Sequence, residues 1–187
     1  MISLEEAIEQ RNPVAALAAL EANPAEAGSP TRMGVSPLML ALYYEVPEVA
    51  VAIRTRLNEL SFFEAAAMGE IDPVRAAVEA NPALVNAFAP DGFTVLGLAI
   101  FFRQPALARY LILNGADVNL PAANARKVAP IHAACARQDL DILKLLLDHA
   151  ANPDLEQEGG FTALKAARQS GNKTMEELLL NAGAIRG

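Results

Sequence analysis

The chain of 187 residues is 53% hydrophobic, yet aromatics make up only 5% of it, Trp is absent and the net charge is −7. An acidic chain without basic clusters repels phosphate backbones, the single cysteine, Cys135, excludes an intramolecular disulfide, and no apolar run approaches the ~20 residues of a membrane-crossing helix. The expectation is a soluble, cytoplasmic protein that binds neither nucleic acid nor membrane, with an Ala- and Leu-built interior suited to thin stacked layers.

In chain order, Ser3 caps a first helix, with Glu6 three places on. Glu5, Glu6, Glu9, Gln10 and Arg11 give this front a polar face. Glu21-Ala22-Asn23-Pro24-Ala25 returns unchanged as Glu79-Ala80-Asn81-Pro82-Ala83, and the same shift of 58 carries Ala7 onto Ala65, Gly34 onto Gly92, Leu38 onto Leu96 and Pro47 onto Pro105. A two-unit block is therefore duplicated. Between the copies, residues 53–63 run from one helix pattern into the next without a Gly, Pro or Asp-Gly turn. This predicts a tight helix-to-helix junction near Arg56 to Glu59, with no hairpin.

Beyond Pro90 the period is near 33. Asp91-Gly92 makes a turn and Thr94 caps a helix whose buried face begins with Leu96, Leu98 and Ala99. Arg103-Gln104-Pro105 ends that helix and starts a second, in which Leu107, Tyr110, Leu111 and Leu113 follow helical spacing until Asn114-Gly115 closes it. The opening Gly92-Phe93-Thr94-Val95-Leu96-Gly97-Leu98-Ala99 recurs as Lys127-Val128-Ala129-Pro130-Ile131-His132-Ala133-Ala134 and as Gly160-Phe161-Thr162-Ala163-Leu164-Lys165-Ala166-Ala167. The close Asn114-Gly115-Ala116-Asp117-Val118-Asn119 is answered by His149-Ala150-Ala151-Asn152-Pro153-Asp154. At the back, Lys173, Glu176, Glu177, Asn181 and Arg186 are polar, and both ends read as caps of a complete array.

These openings and closes resemble the ankyrin repeat family, with its T-P-L-H-x-A-A opening and G-A-D-V-N close. The resemblance implies an all-α ankyrin-repeat solenoid of about six stacked helix pairs with protruding β-turn or hairpin loops, in units of about 1–30, 31–58, 59–89, 90–122, 123–155 and 156–187. It also implies that His132 ties successive turns together by hydrogen bonds. A catalytic alternative pairs His132 with Cys135 three residues on, but Cys135 stands at an Ala position of the motif that packs inside, where a thiol is inert.

Other chemistry-bearing residues have plainer uses. His149 suits a helix C-terminus, and the scattered His and Cys residues form no zinc spacing. Asp154, Glu156 and Glu158 alternate in a loop that lacks the frame of a calcium loop, and Gly159-Gly160 is a turn pair rather than a phosphate cradle. The expectation is no enzyme, no metal and no cofactor.

Partners of the family contact the turn tips and the residues ending each first helix, on the concave side. Carried over, those positions are Tyr43 and Tyr44, Ala67 and Met68, Phe101 and Phe102, Ala136 and Arg137, and Gln169 and Ser170. With Val35 and Phe93 at neighbouring turns, a groove lined by Val35, Tyr43, Tyr44, Met68, Phe93, Phe101 and Phe102 offers aromatic anchors to an apolar helix or extended peptide. Arg126, Lys127 and Arg137 form a basic rim. The same rings have a second use, packing beneath adjacent turns, which the equivalent places of Phe93 and Phe161 favour for those two. The expected function is a monomeric, non-catalytic module that binds another protein or peptide; a self-associating scaffold is the alternative, after the small enzyme.

Overall fold

A computed structural model describes residues 2–185, which carry twelve α-helices and a single two-stranded sheet. The helices are α1 Leu4–Glu9, α2 Pro13–Ala22, α3 Pro37–Tyr43, α4 Pro47–Arg54, α5 Phe62–Met68, α6 Ile71–Ala80, α7 Val95–Phe101, α8 Pro105–Leu113, α9 Pro130–Ala136, α10 Leu140–Asp148, α11 Ala163–Gln169 and α12 Lys173–Asn181. Strands β1 Glu156–Gln157 and β2 Phe161–Thr162 pair antiparallel.

Local chemistry sets the ends of these helices. Ser3 and Glu6 form a reciprocal capping box on α1. Ser36, Thr94, Asp139, Thr162 and Asn172 each accept a hydrogen bond from the backbone N–H three residues on, which satisfies one of the orphan donors of a helix start. Proline opens α2, α3, α4, α8 and α9, where its missing N–H costs nothing. The turn inside each helix pair holds one residue in the left-handed region: Arg11, Glu45, Gly69, Arg103, Gln138 and Gly171. Only two of the six are glycine, so the other four carry the steric cost of a Cβ there. Gln138→Gly should therefore raise the unfolding free energy by about 0.5–1 kcal/mol in urea titration, and a loss of stability would refute this account.

The chain divides into two compact units, Met1–Ala67 and Met68–Gly187. In the first, α1 packs on α2 and on α3, while α4 packs on α3 and α2. Leu4, Ile8, Leu20, Leu38, Leu40 and Ile53 fill the space between them. At the front, Glu5 and Glu9 hold Arg32 at 3.3 and 3.2 Å, and Arg56 pairs with Glu21. Residues 55–61 join α4 to α5 without a strand or hairpin, as the sequence predicts. Ser61 caps α5 from that link. Its N–H donates to Glu64 Oε2 at 2.8 Å, and its hydroxyl accepts from the Glu64 N–H at 3.3 Å. Glu64 is buried at 7% exposure and also accepts from the Ser36 hydroxyl at 2.5 Å, which links the start of α5 to the start of α3.

In the second unit α7, α9 and α11 stack in one row, with α8, α10 and α12 packed behind them. Leu96, Leu98, Leu107, Leu111, Ile131 and Leu143 are buried between the rows. Leu113 is a correction to the helical spacing expected of α8: it is 63% exposed, because it lies on the helix face turned away from α7 and α10. The turns before each front-row helix project as fingers. Ala89 N–H donates to Phe93 O, Ala122 N–H to Val128 O, and β1–β2 forms the last finger. Successive fingers are stitched together by backbone bonds, Ala123 N–H to Gly92 O at 2.8 Å and Glu158 N–H to Arg126 O at 2.9 Å. Gly92 has φ +85°, and a Cβ there would lie 3.1 Å from the Asn124 backbone nitrogen, so the close approach of the next finger also requires glycine.

The shift of 58 holds element by element. It carries α2 onto α6, α3 onto α7, and the 3-10 turn Pro24–Gly28 onto Pro82–Asn86, with Ser3 and Ser36 landing on the caps Ser61 and Thr94. Of the polar residues expected to cap the back, Lys173 binds Glu176 at 3.0 Å, Arg168 of α11 binds the same carboxylate at 3.0 Å, and Arg186 lies outside the described residues.

Candidate functional site

The front-row helices end in the residues expected to meet a partner. Tyr43 and Tyr44 end α3 in the first unit; Met68, Phe101, Phe102 and Arg137 hold the corresponding places in the second, with Phe93, Arg126 and Lys127 on its fingers. Tyr43, Tyr44, Met68, Phe93, Phe101 and Phe102 are all half-buried, and Arg126 and Lys127 are exposed. Val35 departs from expectation. At 6% exposure it belongs to the core, because Thr31 donates both its N–H and its hydroxyl to the Val35 carbonyl and folds the turn back.

Arg137 is also placed differently from a free basic rim. Its guanidinium carbon lies 4.0 Å from the centroid of the Phe101 ring, and its Nε donates to the Phe101 carbonyl at 2.6 Å. Phe101 in turn meets Phe102 edge-on at 5.2 Å. Cation–π attraction and a charge-assisted hydrogen bond thus clamp the aromatic pair of one repeat to the front-row helix of the next.

Three of the expected residues converge in the second unit. Phe93 and Phe101 from one repeat, Arg126 from the next finger and Phe161 from the last surround a hollow of about 160 Å³. Its floor is small, Ala133 and Ala136 on α9 and Ala166 on α11, so the aromatic walls enclose space that larger side chains would fill. Val128 and Gln157 complete the lining. Phe161, Val128, Gln157 and Ala166 were not foreseen as lining. The available signal was the register that sets Phe161 in the place of Phe93, which reads equally well as packing.

His132 touches the same hollow but is 4% exposed and committed at both nitrogens. Nδ1 accepts the Ala129 N–H at 3.0 Å, so the proton sits on Nε2, which donates to the Leu155 carbonyl at 2.8 Å on the next finger. Burial lowers its pKa, opposed by the Leu155 hydrogen bond. This is the turn-to-turn tie the resemblance implies, and it leaves no lone pair to act as a base. Burial pushes the Cys135 thiol up to about 12, so it is a thiol and not a nucleophile at neutral pH.

His149 Nδ1 donates to the Leu145 carbonyl at 2.9 Å, the helix-end role expected of it. Asp154 accepts from the Ile185 N–H at 2.9 Å, and Gly159 and Gly160, both with positive φ, turn the β1–β2 finger. Among the described residues no three His, Cys, Asp or Glu side chains gather where they would hold a metal ion, and no helix is long and apolar enough to cross a membrane.

A family model for a single ankyrin repeat matches residues 91–123, and a model of ankyrin repeats in three copies matches residues 120–185. Among curated relatives, E3 ubiquitin-protein ligase hecd-1 of Caenorhabditis elegans is 38% identical over 94 residues, covering 50% of this chain and 3% of that protein. Regulatory protein NPR5 of Arabidopsis thaliana is 39% identical over 95 residues, 48% of this chain and 18% of its own length. Human ankyrin repeat domain-containing protein 63 is 28% identical over 130 residues, 67% of this chain and 34% of its own. The chain thus spans no more than about a third of any of these three. With the matched repeats running from residue 91 to 185, and the same capped helix pairs recurring before them at a shift of 58, the chain belongs to the ankyrin repeat family.

Proposed function

We propose that the protein is a non-catalytic binding module that holds another protein on the concave side formed by its fingers and front-row helix ends. Ankyrin repeats are in general protein-interaction modules, and the observation that carries the reading to this surface is the hollow walled by Phe93, Phe101 and Phe161 over alanines. Rigid aromatic walls around a small apolar recess supply the kind of anchor pocket on which interfaces concentrate their energy. Met68 and Phe102 of the same unit extend the proposed surface, and Tyr43 and Tyr44 hold the corresponding helix-end places in the first unit. A cytoplasmic setting and a monomeric state are part of the proposal, supported by the one buried thiol and the net charge of −7. The alternative, catalysis by His132 and Cys135, is disfavoured by the hydrogen bonds at both imidazole nitrogens and by the raised thiol pKa.

Opposite faces of the same unit make the test. Ala136 is exposed in the hollow, and Leu113 is exposed on α8. In affinity capture followed by mass spectrometry, Ala136→Arg should abolish retention of whatever protein the wild type holds, while Leu113→Arg should retain it, with both variants melting as the wild type does. The reverse pattern would move the interface to the back-row helices and refute the proposal.

A further inference from the structure

We infer that the occupant of the hollow is an acidic segment of a partner protein that inserts one medium-sized apolar side chain between Phe93, Phe101 and Phe161. This rests on the proposed concave-side reading and narrows it to a chemistry. An apolar cavity of about 150 Å³ accepts a benzene-sized guest, and the hollow, at about 160 Å³, has room for one leucine, methionine or phenylalanine side chain and no more.

Charge selects what surrounds that side chain. Among the described residues, no carboxylate lines the hollow and Arg126 is the one fully charged group that does, since burial holds His132 neutral. Lys127 follows it on the same exposed finger, and neither makes an ion pair with any of the described residues. Of the acids on the adjoining finger, Asp154, Glu156 and Glu158, none lines the hollow. Alternation along β1 sends Gln157 inward and Glu156 to the opposite side, where Glu156 lines a separate cavity with Lys165 and Arg168. An otherwise acidic molecule thus presents a local cation beside its aromatic recess. A partner carboxylate next to the inserted side chain would meet Arg126 at the edge of a low-dielectric wall, where the attraction exceeds that in bulk water.

The experiment pans a phage-displayed random peptide library on the full chain. Enriched sequences are then titrated as synthetic peptides by fluorescence anisotropy against wild type, Ala136→Met and Arg126→Glu. Both positions are exposed, and unchanged thermal melts confirm that the variants fold. Enriched peptides should carry Leu, Ile, Met or Phe beside Asp or Glu. Ala136→Met, which fills the recess, should weaken them roughly ten- to a hundredfold. Arg126→Glu should weaken them roughly fivefold or more, and replacing the peptide acids by Asn and Gln should remove that sensitivity.

Peptides blocked by Ala136→Met but without acid preference, and indifferent to Arg126→Glu, would overturn the acidic chemistry while the concave-side reading stands. Failure to enrich any peptide, or peptides indifferent to Ala136→Met, would overturn both. A dimer in light scattering that Ala136→Met dissociates would put a second copy of the chain in the hollow and likewise overturn the inference.

Discussion

Replacing Leu111 by alanine should lower the unfolding free energy by about 3 kcal/mol, while Leu113→Ala, two residues further along the same helix, should change it by less than about 0.5 kcal/mol. Leu111 is 0% exposed and lies where α8 faces α7 and α10. Truncation there removes several buried methyl and methylene groups and leaves a cavity that flanking repeats, held by their own fingers, cannot close. Leu113 sits on the outer face and loses only exposed surface. In thermal unfolding followed by circular dichroism, the Leu111 variant should melt roughly 6–12 °C below the wild type. Equal effects at the two positions would mean that α8 is not oriented as described.

His132→Ala should cost about 2–4 kcal/mol, and the cost should shrink on acidification. The substitution strands the buried Ala129 N–H and removes the donor to Leu155, so the penalty is that of unsatisfied polar groups rather than of lost volume. Burial lowers the folded-state pKa below that of the unfolded chain, where the imidazole titrates near 6.5. Between about pH 6.5 and the lower folded value the unfolded state binds the extra proton, so the stabilisation present above pH 6.5 is lost as pH falls through that window. Once protonated, Nδ1 can no longer accept the Ala129 N–H. The wild-type melting temperature should fall through this range more steeply than that of His132→Ala. A difference that stays constant from neutral pH into the acid range would show that His132 is not held neutral.

Much of the architecture was legible because the signals that set it are local. Ser3 with Glu6, Thr94, Pro105 opening α8, and the glycine at residue 115 each act within one turn of chain, so spacing along the sequence reports them directly. Ser61-Phe62-Phe63-Glu64 carries the same capping pattern as Ser3-Leu4-Glu5-Glu6 and was passed over. The junction expected near Arg56 to Glu59 lies within the observed link, residues 55–61, and the Ser61 cap closes that link at the start of α5. The left-handed places at Arg11, Glu45, Arg103 and Gln138 were hidden by the absence of glycine; their signal was alignment with Gly69 and Gly171.

The surface was less legible, because half-burial of an aromatic ring depends on what stands across from it. Phe101 is fixed by Arg137, 36 residues away, and the hollow beside it exists only because Ala133, Ala136 and Ala166 face the same space. Val35, an equally apolar turn residue, is folded into the core by its own carbonyl.

What the amino-acid order alone determined is the repeating helix pair, its caps and its period, since those follow from hydrogen bonds and side-chain spacing within a few residues. Which apolar residues are spent on packing, which nitrogens of His132 are engaged, and where a recess with one cation is left open were decided by tertiary structure. Each depends on atoms brought together from different repeats, and their separation in space is invisible to periodicity along the chain.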